Sequence, residues 1–227
     1  MSLARKLQVM IVGAIVSAMF APCPANSQGS SKKNGRVRSK LTASDKHEAV
    51  LQRAREQTLA ILQSDNACSA WFREADGDAA EVFESVHYQI ERDSLSYVFR
   101  ATDTRGEELY KQPWVAQTYE STGRNSTVRL NSHGSFFNLS SQVVVLDPGG
   151  VPVQFEGYRV LTIASFRGNT AEAQITTLLH ELGHIIGRIP EDDDSWDGRS
   201  ARNTEEVLRN CKKEIREYAQ KTPRGGN

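Results

Sequence analysis

The spacing of apolar residues along this chain changes period twice. Between residues 45 and 63, Val50, Leu51, Ala54, Leu59 and Leu62 recur at helical spacing behind Ser44, a good N-cap residue, and predict an amphipathic helix. Ala79, Val82, Phe83 and Val86 predict a second one, after Cys68, Trp71 and Phe72. From Leu95 the period shortens. Short runs rich in β-branched and aromatic residues at 97–99, 114–119, 127–130, 142–146 and 158–163 read as strands, separated by turn signals at 121–123, 131–134 and 147–150. Helical spacing returns over 170–186 and again over about 203–219. Helices, then strands, then two further helices predict an α+β domain with N-terminal helices, a small mixed sheet and a C-terminal helix pair. There is no internal repeat of the kind that builds solenoids.

Charge changes this picture at one end only. The 227 residues carry no formal net charge, which gives no reason to expect a nucleic-acid partner. Residues 1–40 nevertheless hold Arg5, Lys6, Lys32, Lys33, Arg36, Arg38 and Lys40 without an acid, so the remainder is acidic. Arg5 and Lys6 precede an apolar stretch from Leu7 to Phe20, then Pro22, Pro24 and the small residues Ala25 and Ser27. That is the layout of a secretory signal peptide over 1–27, short for a bilayer span, which needs about 20 apolar residues; a retained membrane anchor is the alternative. A Ser-, Lys-, Asn- and Gly-rich linker is expected over 28–43, a folded domain over 44–220 and a disordered tail over 221–227. The mature chain would be secreted or periplasmic, with no membrane association after signal removal. Cys68 and Cys211 would then remain, and in an oxidising compartment two cysteines read as one disulfide; two separately buried thiols are the alternative.

The chemistry lies in the segment Thr176-Thr-Leu-Leu-His180-Glu181-Leu182-Gly183-His184-Ile-Ile-Gly187-Arg-Ile-Pro190-Glu-Asp192. Histidines four apart on a helix project from one face, one turn apart, so His180 and His184 can reach a single metal ion. Glu181 sits beside the first histidine, placed to take a proton from a water rather than to ligate. Ile175, Leu178, Leu179, Leu182, Ile185 and Ile186 supply the apolar flanks of a buried helix. An acid between two buried histidines is costly without a cation or a partner, which weighs against a merely structural helix.

This segment resembles the active-site helix of the zincin metallopeptidases, and its Gly187 is similar to the glycine of the longer metzincin motif. It departs where that motif has a third histidine, since Pro190 stands there and cannot ligate. The acidic run Glu191, Asp192, Asp193 and Asp194 follows, and a carboxylate is a competent zinc ligand. The pattern also resembles small secreted bacterial zincin-like proteins without an assigned substrate, and that resemblance implies Asp192 as third ligand, with Asn203, Thr204 and Cys211 as further matched positions. In thermolysin-like zincins the third ligand is a glutamate on a later helix, and Glu205 and Glu206 are the candidates here. A left-handed Gly187 followed by Pro190 would stop the helix and let the chain turn back, which favours Asp192; Asn203 would then cap the last helix. The resemblance further implies one Zn2+ held by His180, His184 and Asp192, and hydrolysis of peptide bonds by a water that zinc and Glu181 activate together. The substrate would be a peptide or protein, added as an extra strand along 158–165 or 142–146.

Other constellations are weaker. His47, His87 and His133 have no partner at ligand spacing, no serine sits in a Gly-x-Ser-x-Gly elbow, and no phosphate-binding Gly-rich loop precedes a helix. Trp71 and Trp114 are expected in the core, with Trp196 either there or lining a cleft. The competing expectation is a secreted zinc-binding or interaction module that keeps the site without hydrolysis, since function belongs to the site rather than the fold.

Overall fold

The computed structural model describes residues 42–92, 96–103, 106–119, 123–147, 151–192 and 198–221. The expected leader, nearly all of the linker and tail, the turns at 121–122 and 148–150, and Asp193, Asp194 and Trp196 lie outside the described residues. Helix α1 (Ala43–Gln63) begins earlier than expected because Thr42 and Asp45 form a reciprocal capping box: the Thr42 hydroxyl accepts from the Asp45 amide, and the Asp45 carboxylate accepts from the Thr42 amide. Two orphan amides satisfied together outcompete the single cap that Ser44 offers. Leu51, Ala54, Thr58, Ile61 and Leu62 form its buried face. Short helices α2 (Ala67–Arg73), capped by Asn66, and α3 (Ala79–Ser85) follow.

The strands make three small sheets. β1 (His87–Glu91), β5 (Thr127–Asn131) and β4 (Ala116–Tyr119) form a mixed sheet with β5 in the middle, parallel to β1 and antiparallel to β4. Val128 and Leu130 of β5 are fully buried, as a central strand covered by helices requires. The chain leaves this sheet after β1 for the hairpin of β2 (Ser96–Asp103) and β3 (Gly106–Pro113), and leaves again after β5 for that of β6 (Ser140–Leu146) and β7 (Pro152–Val160). The two hairpins join through β3 and β6 into an antiparallel sheet of order β2-β3-β6-β7. A two-residue pair, β8 (Thr162–Ile163) and β9 (Phe166–Arg167), leads into α4 (Ala171–Ile185), and α5 (Arg199–Ala219) closes the fold.

The architecture is therefore α+β, as the order of periodicities predicted, with three small sheets in place of one. The predicted strand at 158–163 is divided at Leu161, where the chain turns inward: Leu161 is buried and its amide donates to the Leu139 carbonyl. β1 and β3 were not predicted, because His-Tyr-Gln-Ile-Glu and Gly-Glu-Glu-Leu-Tyr-Lys-Gln-Pro lack a clean apolar alternation. Helix α5 starts at Arg199 after a left-handed Gly198, so Asn203 is an interior residue of the helix and not its cap.

Helix α4 is the centre of the molecule. It packs on α1 and α5 on one side and on β4, β8 and β9 on the other, and every residue from Ala173 to Ile185 is buried. Leu178, Leu179, Leu182 and Ile175 join Phe72, Phe83, Phe136, Ile61, Leu130 and Ile215 among the most deeply buried side chains. None of the helices, among the described residues, is long and apolar enough to cross a membrane.

Cys68 of α2 and Cys211 of α5 form a disulfide between positions 143 apart in sequence, with both cysteines fully buried. Cross-linking positions so far apart in sequence removes much of the freedom of the unfolded chain. Replacing both cysteines by serine is expected to cost about 2–5 kcal/mol in denaturant unfolding. Equal midpoints for the variant and the oxidised wild type would show that the cross-link adds nothing.

Candidate metal centre

A helix buried on all sides must satisfy each polar group it carries. Gln174 donates to the Phe136 carbonyl at 3.0 Å, while Thr176 and Thr177 donate back to the Glu172 and Ala173 carbonyls at 2.7 and 2.9 Å. That leaves His180, Glu181 and His184, which are 6%, 6% and 8% exposed. Their partners come from three other segments.

The two imidazoles stand one turn apart with ring centroids 4.6 Å apart and planes at 80°, and their Nε2 atoms face each other at 2.9 Å. Asp192 completes the group. One carboxylate oxygen, Oδ2, lies 3.1 Å from His180 Nε2, and the other, Oδ1, lies 3.6 Å from His184 Nε2. One donor atom from each of the three residues falls within 4.8 Å of the others, the sole such group among the described residues. Glu205 is exposed and Glu206 pairs with Arg209, so neither glutamate of the alternative ligand set joins it.

Asp192 reaches the histidines because the chain reverses sharply after α4. Gly187 is left-handed (φ 68°), its amide donates to the His184 carbonyl, and the Arg188 amide donates to the Gly183 carbonyl. These are the two bonds of a Schellman cap, and the left-handed residue they need is the glycine expected from sequence. Ile189 then folds back over the helix: a Cβ on Gly183 would stand 2.9 Å from Ile189 Cδ1 and Cγ1. Arg188 anchors the outside of the turn, its guanidinium 2.8 Å from Glu74 and 4.6 Å above the Trp71 ring. From the other side Asn203 donates to the Pro190 carbonyl at 2.8 Å and to Asp192 Oδ1 at 2.6 Å, and Thr204 Oγ1 lies 3.1 Å from His180 Nδ1.

Glu181 points elsewhere. Thr118 of β4 donates to its Oε2 at 2.7 Å, with the Glu181 carbonyl 3.4 Å away. Thr118, Val128 and Tyr88 are register partners across β4, β5 and β1, so they share the face of the sheet that meets α4. Burial pushes the Tyr88 phenol up; the Arg55 guanidinium, 4.8 Å above its ring, opposes this and Glu181 adds to it. Of the two expected substrate strands, 158–165 packs on α4 through β8. Segment 142–146 lies in β6, and 158–165 runs from β7 through β8, whereas β4 is the strand that touches Glu181.

The electrostatics favour positive charge among the three donors. Burial opposes ionisation of Asp192, yet hydrogen bonds to His180 and His184, the charge of His180 and a hydrogen bond to Ser200 hold its carboxyl well below the usual carboxylate range. Burial likewise opposes a proton on His184, but the Asp192 hydrogen bond, the Glu181 and Asp192 charges and the Ile189 backbone raise its pKa. Two imidazole nitrogens and a carboxylate facing one another need a cation in their midst, either protons or a metal. Two nitrogens and an oxygen suit zinc, which takes such donors at about 2.0–2.2 Å. The residues present therefore fit the ion that the sequence motif implies.

Of the residues expected at the site, His180, His184 and Asp192 meet and Glu181 lies beside them with its own partner. Thr118 gave no sequence signal, because it reaches the helix through a strand distant in the chain. Comparison of the chain with family models, characterised proteins and solved structures finds no match.

The turn geometry can be tested without the metal. Gly183→Ala is expected to press on Ile189 and cost about 1–3 kcal/mol in unfolding. Adding Ile189→Val, which removes Cδ1, should recover part of that loss. A Gly183→Ala variant as stable as wild type would show that Ile189 does not depend on the missing side chain.

Proposed function

We propose that the chain is an exported, zinc-dependent peptidase of zincin-like type, with His180, His184 and Asp192 holding the ion and Glu181 serving as general base. The observation that carries this reading is the convergence of three ligand-type side chains beside a buried carboxylate that is not among them. A zinc ion bound there would polarise a carbonyl and lower the pKa of a water to about 7. Glu181 would accept the proton released as that water attacks the peptide carbonyl and pass it to the departing amine. Thr118 donates to Oε2 of Glu181, which fixes the carboxylate. The Cys68–Cys211 disulfide agrees with an oxidising compartment and hence with the leader expected at the N-terminus.

Purified chain is expected to hold about one zinc, and His184→Ala to lose most of it. Glu181→Gln should retain the ion and lose nearly all hydrolysis of an unstructured protein substrate, because an amide cannot take the proton. Zinc uptake by the wild type with no turnover on a broad peptide library would favour the zinc-binding module without hydrolysis.

The third ligand is tested separately. Asp192→Ala should weaken zinc binding severely, whereas Glu205→Ala and Glu206→Ala, on the outer side of α5, should leave it nearly unchanged; a zinc titration of the three variants reads the difference. The opposite ranking would support the thermolysin-like ligand set.

A further inference from the structure

We infer that Asn203 and Thr204, near the start of α5, are positioning residues that set how His180 and Asp192 present themselves to the ion, so that α5 controls the affinity of a site whose histidines lie on α4. This rests on the zinc reading above and follows from counting protons. Thr204 has one hydroxyl hydrogen. Its Oγ1 lies 2.9 Å from the Ser200 carbonyl oxygen, which can only accept, and 3.1 Å from His180 Nδ1. With the hydrogen directed at Ser200, Oγ1 must accept, so Nδ1 of His180 carries a proton and donates it. Whenever that ring is neutral its lone pair lies on Nε2, the nitrogen that faces His184 Nε2 at 2.9 Å and Asp192 Oδ2 at 3.1 Å. Lone pair and carboxylate oxygen repel at that distance unless a cation lies between them. The Thr204 hydroxyl thereby selects the tautomer that ligates.

Asn203 does the corresponding work for the carboxylate. Its two close neighbours, Pro190 O at 2.8 Å and Asp192 Oδ1 at 2.6 Å, are both pure acceptors, so the amide nitrogen faces them and spends one hydrogen on each. Oδ1 is thus held and Oδ2 is left to ligate, while the same side chain fixes the backbone two residues earlier. Asn203 is 5% exposed, so its amide is not drawn away to water, whereas Asp192 itself stays exposed on its outer side. Both residues are held in place by the packing of Val207, Leu208 and Ile215 and by the disulfide at Cys211. Groups that orient metal ligands in this way typically account for about 10–100-fold in affinity.

The test is zinc affinity of the whole mature chain, measured by competition with a chromophoric chelator, which requires no substrate. Thr204→Val has the same shape without the hydroxyl and is expected to bind zinc about 10–100-fold more weakly. Thr204→Ser restores the hydroxyl and should bind within a few-fold of wild type. Asn203→Leu should weaken binding comparably, and the exposed Glu205→Gln should not, each variant being checked for native circular dichroism. Folded Thr204→Val and Asn203→Leu variants that bind zinc as tightly as wild type would overturn the inference while leaving the zinc site standing. A wild type that takes up no zinc would overturn both.

Discussion

The reversal of the chain between Ile186 and Asp192 is the constraint on which the rest of the site depends. Two histidines on one helix face offer two donors and no more, and a third must come from chain that has already left the helix. Here it returns within eight residues of His184, which requires the left-handed Gly187, the bare Cα of Gly183 under Ile189 and the Asn203 amide on the Pro190 carbonyl. None of these residues is a ligand. Each is needed because a carboxylate must be brought to two buried imidazoles and held there against its preference for water.

The same constraint explains why α4 is enclosed on every side. Two imidazoles and the Glu181 carboxylate, all buried, carry more weight in a dry setting than on a surface, because fewer waters screen them. The enclosure is supplied by α1 and α5 on one side and the strand pair and β4 on the other. Each enclosing element also gives the site something chemical: β4 brings Thr118 to Glu181, and α5 brings Asn203 and Thr204 to Asp192 and His180. The Cys68–Cys211 bond ties α5 to α2, so the positioning of the site is linked to the stability of the whole domain.

Much of this was legible in the sequence, for definite reasons. The helix at 170–186 is long, apolar and carries its own motif, and Gly187 and Pro190 announce its end. The disulfide was expected from two cysteines in a chain read as exported. What was not legible depends on contacts across the chain. Nothing around Thr118 distinguishes it from any strand threonine, and it acquires a role only where the register of β4 sets it over Glu181. Asn203 reads as a cap in sequence, since asparagine favours helix starts, but in three dimensions its amide serves the turn after α4. The strands β1 and β3 were missed because their polar residues hide the alternation, and pairing with neighbouring strands decided their conformation.

The most direct measurement is anomalous diffraction at the zinc edge from crystals of the chain grown with zinc. The account predicts one strong peak within bonding distance, about 2.0–2.2 Å, of His180 Nε2, His184 Nε2 and an Asp192 oxygen, with Glu181 near the peak but not bonded to it. A peak bonded to Glu205 or Glu206 instead of Asp192, or no peak at the paired histidines, would contradict it.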